Sequence, residues 1–100
     1  MSSGVQRKIR GATRANNSTL NVRTVGFRPG RIEIWNETSG YHLLWVKGMA
    51  DASAVQTTDQ GVRSQVSADA LTPLSDGFSL GNLANLNDTT TEVLRYEVQE

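Results

Sequence analysis

The sequence predicts an all-β fold, an antiparallel β-sandwich or barrel of about six to eight short strands with an extended N-terminal arm. Two observations lead to this prediction. Short segments of alternating apolar and polar residues recur along the chain, and clusters of Gly, Pro, Asn and Asp separate them. The chain has 100 residues, of which 37% are apolar and none is Cys. It can therefore build one modest core without disulfides, and contact with further subunits would add stability.

The N-terminal part of the chain is predicted to be a basic arm over residues 1–17, followed by a β-sandwich domain over residues 18–100. The arm is rich in Ser, Gly, Asn and Arg, and its few apolar positions follow no sustained period. Residues 1–31 include seven basic residues and no acidic one, whereas the rest of the chain is acidic. This asymmetry favours docking on a neighbouring protein; a solvated, flexible tail is the alternative. The residues predicted to dock are Arg7, Lys8, Ile9, Arg10 and Arg14.

Three strands are predicted in the first half of the domain. Residues 18–25 alternate after an Asn-Asn turn signal, and a Gly- and Pro-containing break at residues 26–30 predicts a turn. Residues 31–36 alternate again, and residues 41–47 form a third strand that is apolar on both faces. The polar loop between these two strands favours a hairpin. A strand with two apolar faces is central in its sheet or covered by a partner.

The second half predicts a loop and three more strands. Residues 48–61 consist mainly of small and polar residues and favour a long loop, with one short helical turn as the alternative. Residues 62–68 favour a strand. The pair Asp76-Gly77 predicts a turn before a short strand at residues 78–80, and residues 89–99 predict the last strand. The predicted turn residues are Gly26, Pro29, Gly48, Asp76, Gly77 and Gly81. The predicted core residues are Leu20, Val22, Phe27, Ile32, Ile34, Leu43, Trp45, Phe78, Leu80, Leu94, Tyr96 and Val98.

Trp35 is the most informative aromatic residue of the sequence. By alternation its side chain lies on the face opposite Ile32 and Ile34, so it is expected to be exposed in a monomer. Exposed aromatic residues are typical of interfaces, and Trp35 with Tyr41 is therefore predicted to contribute to an oligomer interface. A lid over the edge of the sandwich is the alternative role for Trp35.

The residues needed for catalysis are scarce in this sequence. The single histidine, His42, lies within a strand beside aromatic residues, a position typical of a structural imidazole. His, Cys and carboxylate residues do not occur at the spacings of a zinc site. Asn85, Asn87 and Asp88 lack the acidic density of a calcium loop. The sequence therefore predicts no enzymatic activity, no catalytic or metal site and no cofactor.

Membrane and nucleic-acid partners are also disfavoured. The basic N-terminus has no apolar stretch behind it, and no run of residues is long enough to span a bilayer, so we expect a soluble protein made in the cytoplasm. The basic cluster would favour phosphate, but the remaining chain is acidic and no aromatic residues are interleaved with the basic ones.

Two segments, residues 25–54 and residues 75–98, carry short motifs in a fixed order. They read Gly-Phe-x-Pro, a strand ending in Asn and Thr, a Trp-containing strand with a Gly-Met-Ala turn, and Asp-Gly-Phe-x-Leu-Gly before an aromatic strand. In this order they resemble a family of short β-rich proteins encoded among the virion genes of tailed bacteriophages. Arg95 and Glu97, which flank Tyr96, depart from the more apolar neighbours of that family. The matching positions are Gly26, Phe27, Pro29, Asn36, Thr38, Trp45, Gly48, Met49, Asp76, Gly77, Phe78, Leu80, Gly81 and Tyr96.

The resemblance implies a structural virion protein. The leading expectation is a capsid decoration or cement protein that binds the major capsid protein on the head surface, stabilises the shell and self-associates as a dimer or trimer. The alternative is a tail or tail-fibre module that contacts another tail protein or a host-surface glycan through Trp35, Tyr41 or Trp45. A small enzyme or metal-binding regulator is a third class, which the scarcity of catalytic residues disfavours.

Overall fold

The computed structural model describes residues 7–88, 90 and 92–100, and within them the chain is all-β. Eight antiparallel strands form one sheet in the order β1-β8-β3-β4-β5-β6-β7-β2, and the sheet curls into a half-barrel. The predicted fold class is therefore confirmed. In this part of the chain no helix is long and apolar enough to cross a membrane. The strands are β1 (Lys8–Arg14), β2 (Leu20–Val22), β3 (Arg31–Asn36), β4 (His42–Val46), β5 (Ser53–Thr57), β6 (Arg63–Leu74), β7 (Gly77–Leu80) and β8 (Val93–Gln99).

A ring contact and a short connection show how strongly the sheet curls. Phe78 on β7 meets Tyr96 on β8 edge to face, with 5.3 Å between ring centroids, although four strands lie between β7 and β8 in the sheet order. The first and last strands of that order, β1 and β2, are joined by residues 15–19 alone. Such a connection spans no more than roughly 20 Å. The two edges of the sheet therefore lie near each other, and the concave side encloses the core.

Alternation along β3 and β8 assigns the inner and outer faces of the sheet. Ile32 and Ile34 are fully buried, whereas the intervening Glu33 and Trp35 are only partly buried. Of the residues predicted as core, all are buried except Leu20, which is partly buried because β2 is a short strand at the edge. Six apolar core residues were not predicted as such, and most of them are small or lie outside the strands: Ala15, Val25, Ala54, Ala70, Leu71 and Leu86.

The predicted N-terminal arm is wrong for the residues that the structure describes. Residues 8–14 form β1, which pairs along its whole length with β8 in a register that runs from Lys8↔Gln99 to Arg14↔Val93. Ala15, which follows the strand, is buried. A weakly alternating, basic segment becomes a strand because β8 supplies a complete ladder of hydrogen bonds for it. Residue 17 is thus not a boundary between an arm and a domain, and residues 1–6 lie outside the described residues.

The loop predicted for residues 48–61 is also wrong, because it contains β5. Ser53 and Ala54 are buried, and β5 pairs with β4 on one side and β6 on the other. The small side chains of Ser53 and Ala54 give little apolar signal in the sequence. They fit where the sheet bends and little space is left on its inner side. There the register shifts, since Ser53 pairs with Leu71 whereas Ala54 pairs with Val66. The extra residues on β6 form a bulge and turn the long strand from one half of the sheet into the other.

Gly77 has a different role from the one predicted. The turn before β7 consists of Ser75 and Asp76, and Gly77 is already the first residue of the strand. A Cβ at this position would lie 1.7 Å from the carbonyl oxygen of Val22 on the neighbouring β2. Glycine is therefore required by the close approach of two backbones. Gly26 and Gly48 do adopt positive φ angles, as turn residues of this kind do.

Two buried asparagines close the half-barrel. The Asn87 side-chain amide donates hydrogen bonds to the carbonyls of Ser18 (2.6 Å) and Gly81 (3.2 Å), and its oxygen accepts one from the Asn16 backbone (2.7 Å). Asn36 donates to the Leu86 carbonyl over 3.0 Å. The loop between β7 and β8 is thereby fixed both to the connection between the two sheet edges and to the end of β3.

Candidate functional site

The convex side of the sheet presents a continuous set of side chains that the core does not use. We call it the outer face. It is formed by alternate residues of five neighbouring strands, which the register aligns in rows. The first row is Lys8, Gln99, Arg31 and Val46; the second is Arg10, Glu97, Glu33, Leu44 and Val55; the third is Ala12, Arg95, Trp35, His42 and Thr57.

Ion pairs occupy the half of the outer face built by β1, β8 and β3. Glu97 accepts a hydrogen bond from Arg10 (2.8 Å) and contacts the Lys8 ammonium (3.1 Å). Glu33 lies directly opposite Glu97 in the register and is paired with Arg31 and with His42. The like charges of the two glutamates are thus compensated by Arg31 beside Glu33 and by Lys8 and Arg10 beside Glu97.

Ion pairs of this kind shift the pKa values of side chains near the two ends of the chain. The hydrogen bond from Lys8, and then that from Arg10, lowers the pKa of Glu97 below its ordinary value. A hydrogen bond from Arg7 lowers the pKa of Glu100 in the same way, and the Glu100 carboxylate raises the pKa of Arg7. Glu100 therefore compensates the charge of Arg7, whereas Lys8 and Arg10 share the one carboxylate of Glu97.

Trp35 and His42 form a ridge in the middle of the outer face. Their rings stack with 6.4 Å between centroids and an interplanar angle of 25°. His42 Nε2 lies 3.1 Å from Glu33 Oε2, which fixes the imidazole beside the indole. Trp35 is half-buried by these neighbours, so the full exposure expected for it in a monomer is not observed. Its indole is nevertheless on the outer face, as alternation predicted.

A groove lies on each side of this ridge. One has a volume of about 330 Å³ and is lined by Arg10, Ala12, Trp35 and Arg95, with the backbone of β1 and β8 as its floor. The other has a volume of about 210 Å³ and lies among His42, Leu44, Val55, Thr57 and Arg63. Together with the exposed Val46, these features make a surface of ridge and grooves with partly exposed apolar side chains. Such a surface suits a protein partner of complementary shape.

Tyr41 and Trp45 do not share this surface with Trp35. Tyr41 immediately precedes His42, the residue paired with Trp35, and packs against the hydrophobic core. Tyr41 and Trp35 therefore lie on opposite faces of the sheet and do not share one surface, and a role of Tyr41 in an oligomer interface stays a prediction. Trp45 is buried, and its indole N–H donates a hydrogen bond to the Ala50 carbonyl over 3.1 Å. An aromatic platform of Trp35, Tyr41 and Trp45 is not formed.

A further cleft borders Trp45. It has a volume of about 570 Å³, and Arg28, Lys47, Asp51 and Glu100 surround it together with Met49. Cations and anions are mixed around its rim, so the cleft has no single charge preference. Among the residues that the structure describes, no group of three or more His, Cys, Asp or Glu side chains could hold a metal ion.

The sequence missed several residues that shape the outer face. Lys8, Arg10 and Arg14 were predicted to dock as a loose arm, whereas β1 presents them at fixed positions beside β8. Leu44 and Val55 were not singled out. The second apolar face of β4 was the available signal for Leu44, since a strand that is apolar on both sides has one face left for a partner.

Comparison of the chain with protein-family models, with curated proteins and with solved structures finds no match.

Proposed function

We propose that this chain is a non-enzymatic structural protein of a tailed-phage virion that decorates the assembled head and stabilises it by binding the major capsid protein. The observation that supports the proposal most directly is the outer face, where the Trp35–His42 ridge and its two grooves expose apolar surface beside fixed ion pairs. The resemblance of residues 25–54 and 75–98 to small virion proteins supplies the biological setting.

The polar groups of the fold support a binding role rather than a chemical one. The buried Asn36, Ser53 and Asn87 are all engaged in internal hydrogen bonds. His42 is held by Glu33 and stacked on Trp35. Side chains committed to such contacts stabilise a rigid surface, and a repeated shell converts many weak contacts into firm attachment through multivalency.

The tail or tail-fibre module remains the second candidate function. Its glycan-binding form would depend on Trp35 alone, because Tyr41 and Trp45 pack toward the core. Single exposed aromatic rings also occur in protein interfaces, so the geometry favours a protein partner over a sugar.

A reconstruction of particles that carry the full chain tests the proposal. Density repeated over the head shell is the expected result, and density confined to the tail tip would favour the second candidate instead. Chains absent from both head and tail would overturn the proposal.

The contribution of the outer face is tested with Trp35→Ala. This variant should be retained on purified heads at a reduced occupancy, and if Trp35 also joins copies to one another, light scattering should show a lower mass. Val62→Ala is the matched control, since Val62 is 60% exposed in the connection between β5 and β6 and lines neither groove. Equal occupancy of both variants would exclude the ridge as the docking surface.

A further inference from the structure

β1 ends the sheet order and pairs with β8 alone among the described strands. The backbone hydrogen bonds at the two ends of this ladder show which residues of β1 direct their N–H and C=O groups toward β8. At one end the Glu100 N–H donates to the Arg7 carbonyl over 2.9 Å, and at the other the Ala15 N–H donates to the Glu92 carbonyl over 3.0 Å. Successive residues of an antiparallel strand direct their backbone groups to opposite sides, so the odd-numbered residues of β1 face β8.

The backbone groups of Lys8, Arg10 and Ala12 consequently point away from β8, toward the open edge. Within the described part of the chain, no backbone hydrogen bond joins these three residues to another strand. An edge of this length is a template for one more strand. The short β2 at the other end of the sheet offers far fewer groups.

The charge of this edge indicates what kind of strand it accepts. The Lys8 and Arg10 side chains are 47% and 74% exposed, and both share the single carboxylate of Glu97. Positive charge is therefore in excess along the edge. Pairing with β1 of a second copy would bring basic residues opposite basic residues, which is unfavourable, whereas acidic residues opposite them would be favourable.

Ala12 adds a second requirement. It is the only small side chain that β1 places on the outer face, and the groove of about 330 Å³ begins beside it and continues to Trp35. A large apolar side chain on an added strand, placed opposite Ala12, could lean over its methyl group into this groove. The edge thus combines a site for one apolar residue with a site for acidic ones.

We infer that the open edge of β1 binds an extended acidic segment of a partner protein as an additional antiparallel strand. From its N-terminus the segment reads large apolar, any residue, acidic, any residue, acidic, and these three specified positions lie opposite Ala12, Arg10 and Lys8. The inference rests on the proposed binding function and gives that function a partner chemistry, in which backbone hydrogen bonds supply affinity and alternate side chains supply specificity.

The full chain is titrated into a fluorescein-labelled peptide, Thr-Phe-Thr-Glu-Thr-Glu-Thr, and binding is followed by fluorescence anisotropy. Saturable binding that weakens with added salt is expected. N-methylation of the first Glu should abolish binding, because its N–H points to β1. N-methylation of the Thr between the two Glu residues should leave binding unchanged, because that N–H points away.

Protein variants test the charge. Arg10→Glu should weaken binding roughly tenfold, since a cross-strand attraction becomes a repulsion. Lys47→Glu is the matched control: it also reverses an exposed positive charge, directly after β4 and three strands from β1 in the sheet order, and should leave the affinity unchanged. If Arg10→Glu does not fold, the two N-methylated peptides still decide the question.

Three results would overturn the inference: no saturable binding, equal loss with both N-methylated peptides, or equal binding of a peptide with Lys in place of Glu. The peptide titration tests the β1 edge, and the particle reconstruction tests the decoration role, so a negative result in one leaves the other proposal standing. A chain that covers the head but ignores the peptide excludes the edge and leaves the decoration role. A chain that binds the peptide but is absent from particles excludes the decoration role and leaves the edge as a binding site.

Discussion

The two edges of the sheet are held in opposite ways. β1 is seven residues long, its outward side chains are exposed, and ion pairs to β8 accompany its ladder. β2 is three residues long, its last residue Val22 is buried, and its backbone lies against Gly77. A short, tightly packed edge resists the addition of another strand, whereas a long, solvated edge invites it. The difference therefore separates an edge used for folding from an edge available for binding.

The β2 edge should be the more sensitive of the two to substitution, and Gly77→Ala should have the largest effect. The added methyl group would meet the carbonyl oxygen and carbon of Val22 at 1.7 and 2.8 Å, and backbone atoms cannot rotate away. β2 must then separate from β7, at a cost of about 3 kcal/mol in the free energy of unfolding. Urea denaturation measures this cost; a variant as stable as the parent would show that β2 does not depend on the close approach.

Asn87→Ala should have the next largest effect, because Asn87 joins the connection between the two edges to the loop after β7. Its removal leaves the carbonyls of Ser18 and Gly81 and the Asn16 N–H without this partner. We expect a loss of about 2 kcal/mol in the free energy of unfolding. Asn82→Ala, an exposed asparagine in the same loop, is the control and should change stability little. Equal losses of stability in the two variants would show that the hydrogen bonds of Asn87 do not stabilise the fold.

The fold was predictable where alternation and large apolar side chains coincide. β3 is the clearest case, since Ile32 and Ile34 mark the inner face and the structure begins and ends the strand where the sequence does. β1 was missed because its stability comes from pairing with β8 at the other end of the chain, and β5 was missed because its small and polar residues carry little apolar signal. Gly11 and Ala54 contribute almost no hydrophobic signal, although both lie in strands that pair along their length with a neighbouring strand.

The candidate site was predictable only in part. Alternation placed Trp35 on the outer face, and the charge asymmetry of the chain was visible from the beginning. The sequence could not show that Lys8 and Arg10 meet Glu97, because the contact joins the two ends of the chain. Tyr41 was assigned to an interface because the sequence does not show how β3 and β4 pair. Their register places Tyr41 immediately before His42, the partner of Trp35, so Tyr41 faces the core.

Gly11→Ala tests the β1 edge with the same substitution as Gly77→Ala and should cost less. The new methyl group would lie 2.4 Å from the hydroxyl oxygen of Tyr96 and 2.6 Å from the ring carbon that carries it, and this side chain can shift more readily than the Val22 backbone. A loss of about 1 kcal/mol in the free energy of unfolding is expected. Adding Tyr96→Phe should recover part of this loss, because it removes the oxygen that the methyl group meets. Additive effects of the two substitutions would contradict a direct contact.

Acidification should produce the smallest effect, and it should act on the β1 edge. The pKa values of Glu97 and Glu100 are lowered in the fold by hydrogen bonds from Lys8 and Arg7. The unfolded chain therefore binds protons first as the pH falls below about 4.3, the ordinary value for Glu, and the stabilisation by these pairs is lost as the pH drops through the lowered folded-state values. Urea midpoints at pH 6 and pH 3 measure the change. In the double variant Glu97→Gln, Glu100→Gln this part of the pH dependence should disappear, and an unchanged pH profile would show that the ion pairs between β1 and β8 do not stabilise the edge.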